Sequence, residues 1–473
     1  MTKAQFGMIG LGVMGRNFLL NVAENGFSGV GYDLDAEKRH LLLEEGKDYN
    51  LQTADSLDDF LQKLESPRKI MILVPAQVVD IVINDLIPKL DKGDLVIDGG
   101  NSHFPDTERR DKLLTDNGFE FLGVGVSGGE EGARHGCAIM IGGKPQKYEL
   151  VRPIFEAASA KVEGEPCAAH VGNSSAGHFV KMVHNGIEYG LMQLIAEIYD
   201  ILNRGLGMSY NEMADVFGEW NRAELNSFLI EITETVLRKI DDQTGKPLVE
   251  MILDTAGQKG TGKWTSQAAM DFGVPVPTID SAVTMRQLSA MKAERAISDS
   301  KFQIPNSKSI NPPSVFRIPQ LKNALYASFI ITYAQGLALL KTSSAEKNYE
   351  IDLTEVAKIW RGGCIIRATL LEEFRRAFSA NKDLSNIILD NNFTNILSET
   401  IGDLRETVAE SAEAGFPNYC LMSCLAYFDA YTSQRLPANL LQAQRDFFGA
   451  HTYQRLDKEG TFHTPDWDGK SKK

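Results

Sequence analysis

A glycine-rich turn set between the first apolar run and the first helical pattern, Gly10-Leu11-Gly12-Val13-Met14-Gly15, constrains this chain more than any other feature. Gly10 permits a tight turn out of a strand, Gly12 lets backbone approach a pyrophosphate, and Gly15 permits close packing of helix on strand. The helix start then presents unpaired N–H groups and the positive end of its dipole to phosphates. Taken alone, GxGxxG is only a glycine turn. Here apolar Phe6–Ile9 precedes it, an amphipathic segment follows, and an acidic residue, Asp33, stands 18 positions after Gly15 at the end of the second apolar run. That context predicts a dinucleotide site. A carboxylate at Asp33 accepts hydrogen bonds from ribose hydroxyls and repels a 2′-phosphate. Its neighbours are Leu34 and Asp35 rather than an arginine, and Lys38 and Arg39 are expected on exposed first turns of the next helix. The expected cofactor is therefore NAD over NADP, with Asp35 as the helix cap.

Short apolar runs alternate with amphipathic segments through the first third. Phe6–Ile9, Gly29–Tyr32, Lys69–Val74, Leu95–Asp98, Phe119–Val124 and Ala138–Ile141 read as strands of a parallel sheet, with Arg16–Glu24 and Val78–Leu86 among the helices between them. Further along, helical periodicity takes over: His178–Leu202, Tyr210–Trp220, Ala223–Ile240, Ser281–Ser298, Leu321–Leu340, Leu353–Ala377 and Leu397–Ala414. The expected architecture is an α/β Rossmann domain over residues 1–176, a large all-α domain over 177–434 and a C-terminal tail over 435–473, within reach of 473 residues at roughly 100–200 per domain. The tail carries several aromatics, more than a free tail would, and is expected to dock on a second subunit.

The charge balance, 49 Lys+Arg against 63 Asp+Glu, gives −14. This argues against general nucleic-acid or anionic-membrane binding, which favours a basic face. Five cysteines (Cys137, Cys167, Cys364, Cys420, Cys424) show no CxxC spacing and read as reduced thiols; no metal-ligand cluster stands out, and none is expected. The N-terminus lacks signal-peptide regions, and no uncharged apolar run of the roughly 18 residues that span a bilayer is evident. The expectation is a soluble cytoplasmic protein.

Lys181, His184, Asn185 and Glu188 stand at i, i+3, i+4 and i+7, on one helical face flanked by Phe179, Val180, Val183 and Ile187. The plain alternative is a solvated face with a Lys–Glu pair. Gly186 speaks against it, because glycine weakens a helix interior and signals close approach by a ligand or backbone. A partly buried lysine can serve as a base near neutral pH, and protonated it can polarise a carbonyl without a metal. Ala256–Trp264 gathers three glycines, Lys259 and Thr261 into a candidate phosphate cradle or a mobile turn. Ser127-Gly128-Gly129 and Asn101-Ser102 follow strand ends, where open α/β sheets bind ligands. Arg445 and His451 are, taken singly, ordinary surface residues.

Read together, IGLGVMG, VIDGGNS, GVSGGEEGARHG, GHFVKMVHNGIEYG, AGQKGTGKWT, WRGGCIIR and LPANLLQAQRDFFGAHTY resemble the decarboxylating 6-phosphogluconate dehydrogenase family, in consistent order from residue 6 to about 465. The resemblance implies oxidative decarboxylation of 6-phospho-D-gluconate to D-ribulose 5-phosphate and CO2, and a homodimer whose tails thread into each other's partner. It implies Lys181 as general base and Glu188 as the acid that protonates C1. It further implies that Asn101, Ser127, Gly128, Gly129, His184 and Asn185 contact the carboxylate and hydroxyls. Tyr189, Lys259, Thr261 and Arg286 would contact the phosphate, joined by Arg445 and His451 from the other subunit. Such a local cationic pocket reconciles an acidic protein with an anionic substrate. For the cofactor the resemblance adds Val74, Pro75, Ala76 and Asn101 to the glycine turn. Two departures point toward NAD. NADP-using members typically carry Asn-Arg-Thr or Asn-Arg-Ser where Asp33-Leu34-Asp35 stands, and many have a longer, lysine-containing turn at Pro75-Ala76. A β-hydroxyacid dehydrogenase for a smaller acid, and a non-catalytic dinucleotide sensor, share parts of this pattern; the first typically lacks Arg445 and His451, and the second has no need of the Lys181–Glu188 pair.

Overall fold

The computed structural model describes residues 2–302, 316–467 and 469. Eight strands form one sheet: β1 (Phe6–Ile9), β2 (Gly29–Tyr32), β3 (Leu51–Thr53), β4 (Lys69–Ile72), β5 (Leu95–Asp98), β6 (Glu120–Ser127), β7 (Ala138–Gly142) and, after a small ribbon of β8 (Lys161–Val162) and β9 (Glu165–Pro166), β10 (Ala168–Gly172). Their order is β10-β7-β6-β5-β4-β1-β2-β3. Helix α1 (Val13–Glu24) follows the glycine turn, and α2 (Ala36–Glu45) follows β2 with Asp35 as its N-cap, accepting the Glu37 N–H at 3.0 Å. Alternate β1 residues feed two cores: Phe6 and Met8 pack with Phe18 and Phe155 on one face, and Ile9 packs with Ile70 and Val96 on the other.

The sheet is mixed, a departure from the parallel reading. β7 pairs antiparallel with β6, and β10 follows β7. Only residues 128–137 separate β6 from β7, short of the dozen or more that a parallel crossover needs. β3 and β10 carry weak signals: one is a three-residue edge, the other Ala-Ala-His-Val-Gly with little β-branched content.

From Ala176 onward the first compact unit, residues 1–424, is helical. Three expected helices differ. Ala223–Ile240 is ordered as Phe228–Arg238 because Ser227 caps it, its hydroxyl accepting the Ile230 N–H. Ser281–Ser298 is two helices, Pro277–Ala290 and Lys292–Phe302. Leu353–Ala377 breaks into Leu353–Trp360 and Leu370–Ala380, where Gly363 takes a left-handed φ of 65° against the backbone of Cys137 and Ala138. The expectation about apolar runs also needs correction. Between Lys322 and Lys341 lie eighteen uncharged residues, inside the helix Ile318–Lys347. Among the described residues it is the one helix long and apolar enough to cross a membrane, and 83% of its most apolar window is buried in the protein interior.

Residues 425–473 form a second unit. Within it the helix Ala438–Gly449 presents Asp446, whose buried carboxylate accepts from Thr452 N–H, Thr464 N–H and Trp467 Nε1–H and pairs with His463 Nδ1 at 2.9 Å. These bonds tie the helix to the Tyr453–Phe462 bridge that follows.

The long helix Ala176–Asp200 meets the sheet through Gly177. A Cβ there would lie 2.3 Å from Gly123 O, 2.5 Å from Met140 O and 2.6 Å from Gly142 N, all backbone atoms. Gly177→Ala is therefore expected to lower stability by about 1–3 kcal/mol, read as a shift in denaturant midpoint.

Candidate active site

The order of the central strands changes direction between β1 and β4, and a crevice opens beyond their C-terminal ends. Gly10 turns there with φ 97°; a Cβ on it would meet Leu73 O at 2.6 Å, and one on Gly15 would meet Gly10 O at 1.9 Å. Nothing lies within 4 Å of a Cβ built on Gly12, so its backbone faces open space at the start of α1. A pyrophosphate fits this cradle. Leu11 N–H donates to Asp33 Oδ2 at 2.8 Å and Asp35 N–H to Oδ1 at 2.9 Å, fixing the carboxylate beside the turn with lone pairs to spare. Leu34 is 88% exposed. Lys38 and Arg39 sit on the first turn of α2 as expected, Lys38 half-exposed and Arg39 less so, and both side chains turn back toward the loop. Lys38 Nζ lies 3.7 Å from Asp33 and 3.9 Å from Asp35, while Arg39 donates to the Asp33 carbonyl and pairs with Asp55.

On the helical side, Lys181 and His184 of the Ala176–Asp200 helix are 7% and 0% exposed, so their face is not a solvated one. Gly125 of β6 makes room for the lysine, since a Cβ there would sit 2.4 Å from Lys181 Cβ. Gly186 admits a neighbouring helix rather than a ligand: Thr265 of Thr261–Asp271 approaches to 2.6 Å of its missing Cβ and donates its hydroxyl to Met182 O at 2.8 Å. Burial pulls the Lys181 pKa down, and the Glu188 carboxylate partly restores it. Burial pushes Glu188 up, opposed by Lys181 and Arg286. His184 falls well below its ordinary value, first through burial and then through Lys181, and is neutral. Its Nε2 lies 3.2 Å from Ser127 Oγ and its Nδ1 3.1 Å from Asn185 Oδ1.

Arg286 lies 3.5 Å over the Tyr189 ring and donates to Gly257 O at 3.2 Å. The same ring lies against Gly262, where a Cβ would come within 2.5 Å. Lys259 and Thr261 continue this loop into its helix. A cleft of about 1370 Å³ joins the two sides. Gly12, Val13, Met14, Gly15, Val74, Pro75, Ala76 and Asn101 line the sheet side; Asn185, Glu188, Tyr189, Lys259, Thr261 and Arg286 line the helical side. Ser127 is buried, and Gly128 packs against Gly363 O next to exposed Gly129. Arg445 and His451 stand exposed on the second unit, the first donating to Gln442, the second edge-on to Phe448.

Sequence reasoning missed four residues around this cleft. His103 stacks on Trp264 (4.6 Å between centroids), both on the cleft wall. Buried His178 holds Thr107 at 2.7 Å, one turn before Lys181. Arg110 is buried beneath the β4 and β5 turns. Trp264 and His178 lie in motifs already singled out, His178 at i−3 from Lys181; His103 and Arg110 leave no periodic or spacing signal.

A dinucleotide cradle across a cleft from a helical face that bears a buried lysine and a half-buried glutamate is the layout of an NAD(P)-linked Rossmann dehydrogenase. The model for the NAD binding domain of 6-phosphogluconate dehydrogenase matches residues 5–172, and that for the 6-phosphogluconate dehydrogenase C-terminal domain matches 177–467. The chain belongs to the 6-phosphogluconate dehydrogenase family. It is 50% identical to the NADP(+)-dependent, decarboxylating 6-phosphogluconate dehydrogenase of Bacillus subtilis over 98% of this chain and 99% of that one. Identity to the decarboxylating enzyme of Drosophila melanogaster is 48%, over 99% of this chain and 97% of that one. The solved Plasmodium falciparum 6-phosphogluconate dehydrogenase, studied as apo form, with NADP+ and with 6-phosphogluconate, superposes with a TM-score of 0.92 at 42% identity, covering 97% of this chain and 99% of that one.

Lys181 has a folded pKa below its unfolded one, so the folded state binds fewer protons and the burden of its charge is greatest at low pH. In a Glu188→Gln background, Lys181→Met should raise the melting temperature at about pH 6, with the gain shrinking as pH climbs toward the roughly 10.4 of a free lysine. Thermal melts across that range check it.

Proposed function

We propose that this chain oxidises and decarboxylates 6-phospho-D-gluconate to D-ribulose 5-phosphate and CO2, with NAD preferred over NADP. The observation that carries the reaction is buried Lys181 on the same helical face as half-buried Glu188, which lines a cleft whose opposite wall is the dinucleotide cradle. The bound dinucleotide supplies the hydride acceptor. Neutral Lys181 takes the C3 hydroxyl proton as the C3 hydrogen departs with its electron pair. The resulting β-keto acid loses CO2 because its carbonyl receives the electrons of the breaking bond, and protonated Lys181 stabilises the enolate. Glu188, kept protonated more readily by burial, then delivers a proton to C1 of the enediol.

Asn101, Ser127, Gly128, Gly129, His184 and Asn185 hold the carboxylate and hydroxyls. Tyr189, Lys259, Thr261 and Arg286 hold the phosphate, and Arg445 and His451 join them from the partner in a homodimer. The cation–π stack of Arg286 on Tyr189 pre-sets one charge in that phosphate group.

The Bacillus subtilis relative is named for NADP(+), and the Plasmodium falciparum structure was solved with it. The reading for this chain differs because of Asp33. Its carboxylate is anchored by Leu11 and Asp35 N–H groups where ribose hydroxyls would reach it, and Lys38 and Arg39 are already engaged by Asp33, Asp35 and Asp55. Two unit charges about 4 Å apart interact by on the order of 4 kcal/mol at an effective dielectric near 20. Even a fraction of that repulsion reverses a preference.

With 6-phosphogluconate saturating, kcat/KM for NAD should exceed that for NADP; the reverse would overturn the preference. The double change Asp33→Asn with Leu34→Arg should raise NADP efficiency by about tenfold or more. Lys181→Met should lower kcat by roughly 10²–10⁴ while the dinucleotide still binds, as absorbance and fluorescence titrations would record.

A further inference from the structure

Arg110 lies on the helix Phe104–Asp116 with its side chain 2% exposed, and its guanidinium joins two loops. Nη1 donates to Asp98 Oδ2 and to Ser102 Oγ, each at 2.9 Å. Nε donates to Asp80 Oδ1 at 2.7 Å, and Nη2 reaches Ala76 O at 3.5 Å. Asp98 is itself fully buried and accepts from Gly100 N–H and the Ser102 hydroxyl. One planar fork therefore ties the segment after β4 (Ala76 and, on the helix Val79–Leu86, Asp80) to the end of β5 and its turn (Asp98, Ser102). Those segments carry Val74-Pro75-Ala76 and Asn101, which line the sheet side of the cleft with Asp80 and the edge of Arg110 beside them.

We propose that Arg110 is a positioning residue for the nicotinamide dinucleotide: it fixes the spacing of the two turns that receive the cofactor. This rests on reading the cleft as the dinucleotide site. A buried ion pair is weak evidence for stability as such, and its better use is to hold a geometry. The chemistry suits that use. Five donors in a rigid plane can serve both turns at once, whereas a lysine ammonium would serve as a point charge without the fork. The phosphate-holding group on Tyr189, Lys259, Thr261 and Arg286 lies across the cleft and takes no hydrogen bond from Arg110 in this network.

The test measures dissociation constants for NAD and 6-phosphogluconate separately, by calorimetry on full-length protein. The variants are Arg110→Lys, which keeps the charge, and the charge-balanced pair Asp98→Asn with Arg110→Met. NAD binding should weaken about tenfold or more while 6-phosphogluconate binding stays within about threefold, since misplacing a contact by ~1 Å costs that order. Asp80→Asn, at a 41% exposed side chain, leaves Asp98 paired with Arg110 and should weaken NAD binding in the same direction by a smaller factor in protein whose melting curve shows it folded. The proposal is overturned if Asp80→Asn leaves NAD affinity unchanged, or if folded Arg110 variants lose both ligands in proportion. Parent protein that binds neither NAD nor NADP would contradict the cofactor reading instead.

Discussion

The contact between Lys181 and Gly125 decides what the rest of the structure must do. The Ala176–Asp200 helix can bring its lysine against β6 only because that strand offers no side chain at Gly125, and because Gly177 lets the helix start touch the backbone of β6 and β7. The ammonium is thereby withdrawn from water, which lowers its pKa, while Glu188 two turns further along the same face is raised by partial burial. Two groups with opposite charge preferences are pushed toward each other's protonation states, which is the condition for a base and an acid at one pH. His184, neutral and fully buried, adds polar contacts without adding a competing charge.

A protein with a formal charge of −14 still gathers cations on one wall of its cleft. Arg286 is placed by the Tyr189 ring and Gly257 O; Lys259 and Thr261 follow on the same loop. The tail unit shows the same economy of anchoring. Burial would raise the Asp446 carboxyl, but N–H donors from Thr464, His463, Trp467 and Thr452 hold it at about 2. A charged hub therefore shapes the segment that carries Arg445 and His451.

The glycine turn, the Asp35 cap and the polar helical face were legible because each rests on local rules: turn geometry, side-chain capping, and a 3.6-residue period. Three things were not. The antiparallel β7 depends on how far residues 128–137 can reach, not on the strand's own composition. The break at Gly362-Gly363 looks like a soft spot in a helical pattern until Gly363 meets Cys137 from another element. Arg110 resembles any surface arginine beside Arg109, and its burial follows from Asp80, Asp98 and Ala76 converging from segments 12 to 34 residues away. Gly186 signalled close approach by a ligand or a neighbouring chain segment without telling which, and the segment that comes is the helix carrying Thr265.

The account turns on Lys181 being a neutral base. In Glu188→Gln the oxidation step is isolated from the final proton delivery, so above the substrate phosphate's second pKa of about 6 the pH dependence of kcat/KM for reduced-dinucleotide formation reports the lysine. The account predicts one rising limb that levels off well below the roughly 10.4 of an ordinary lysine. A rate that keeps climbing into that range, or one that shows no rising limb, would contradict it.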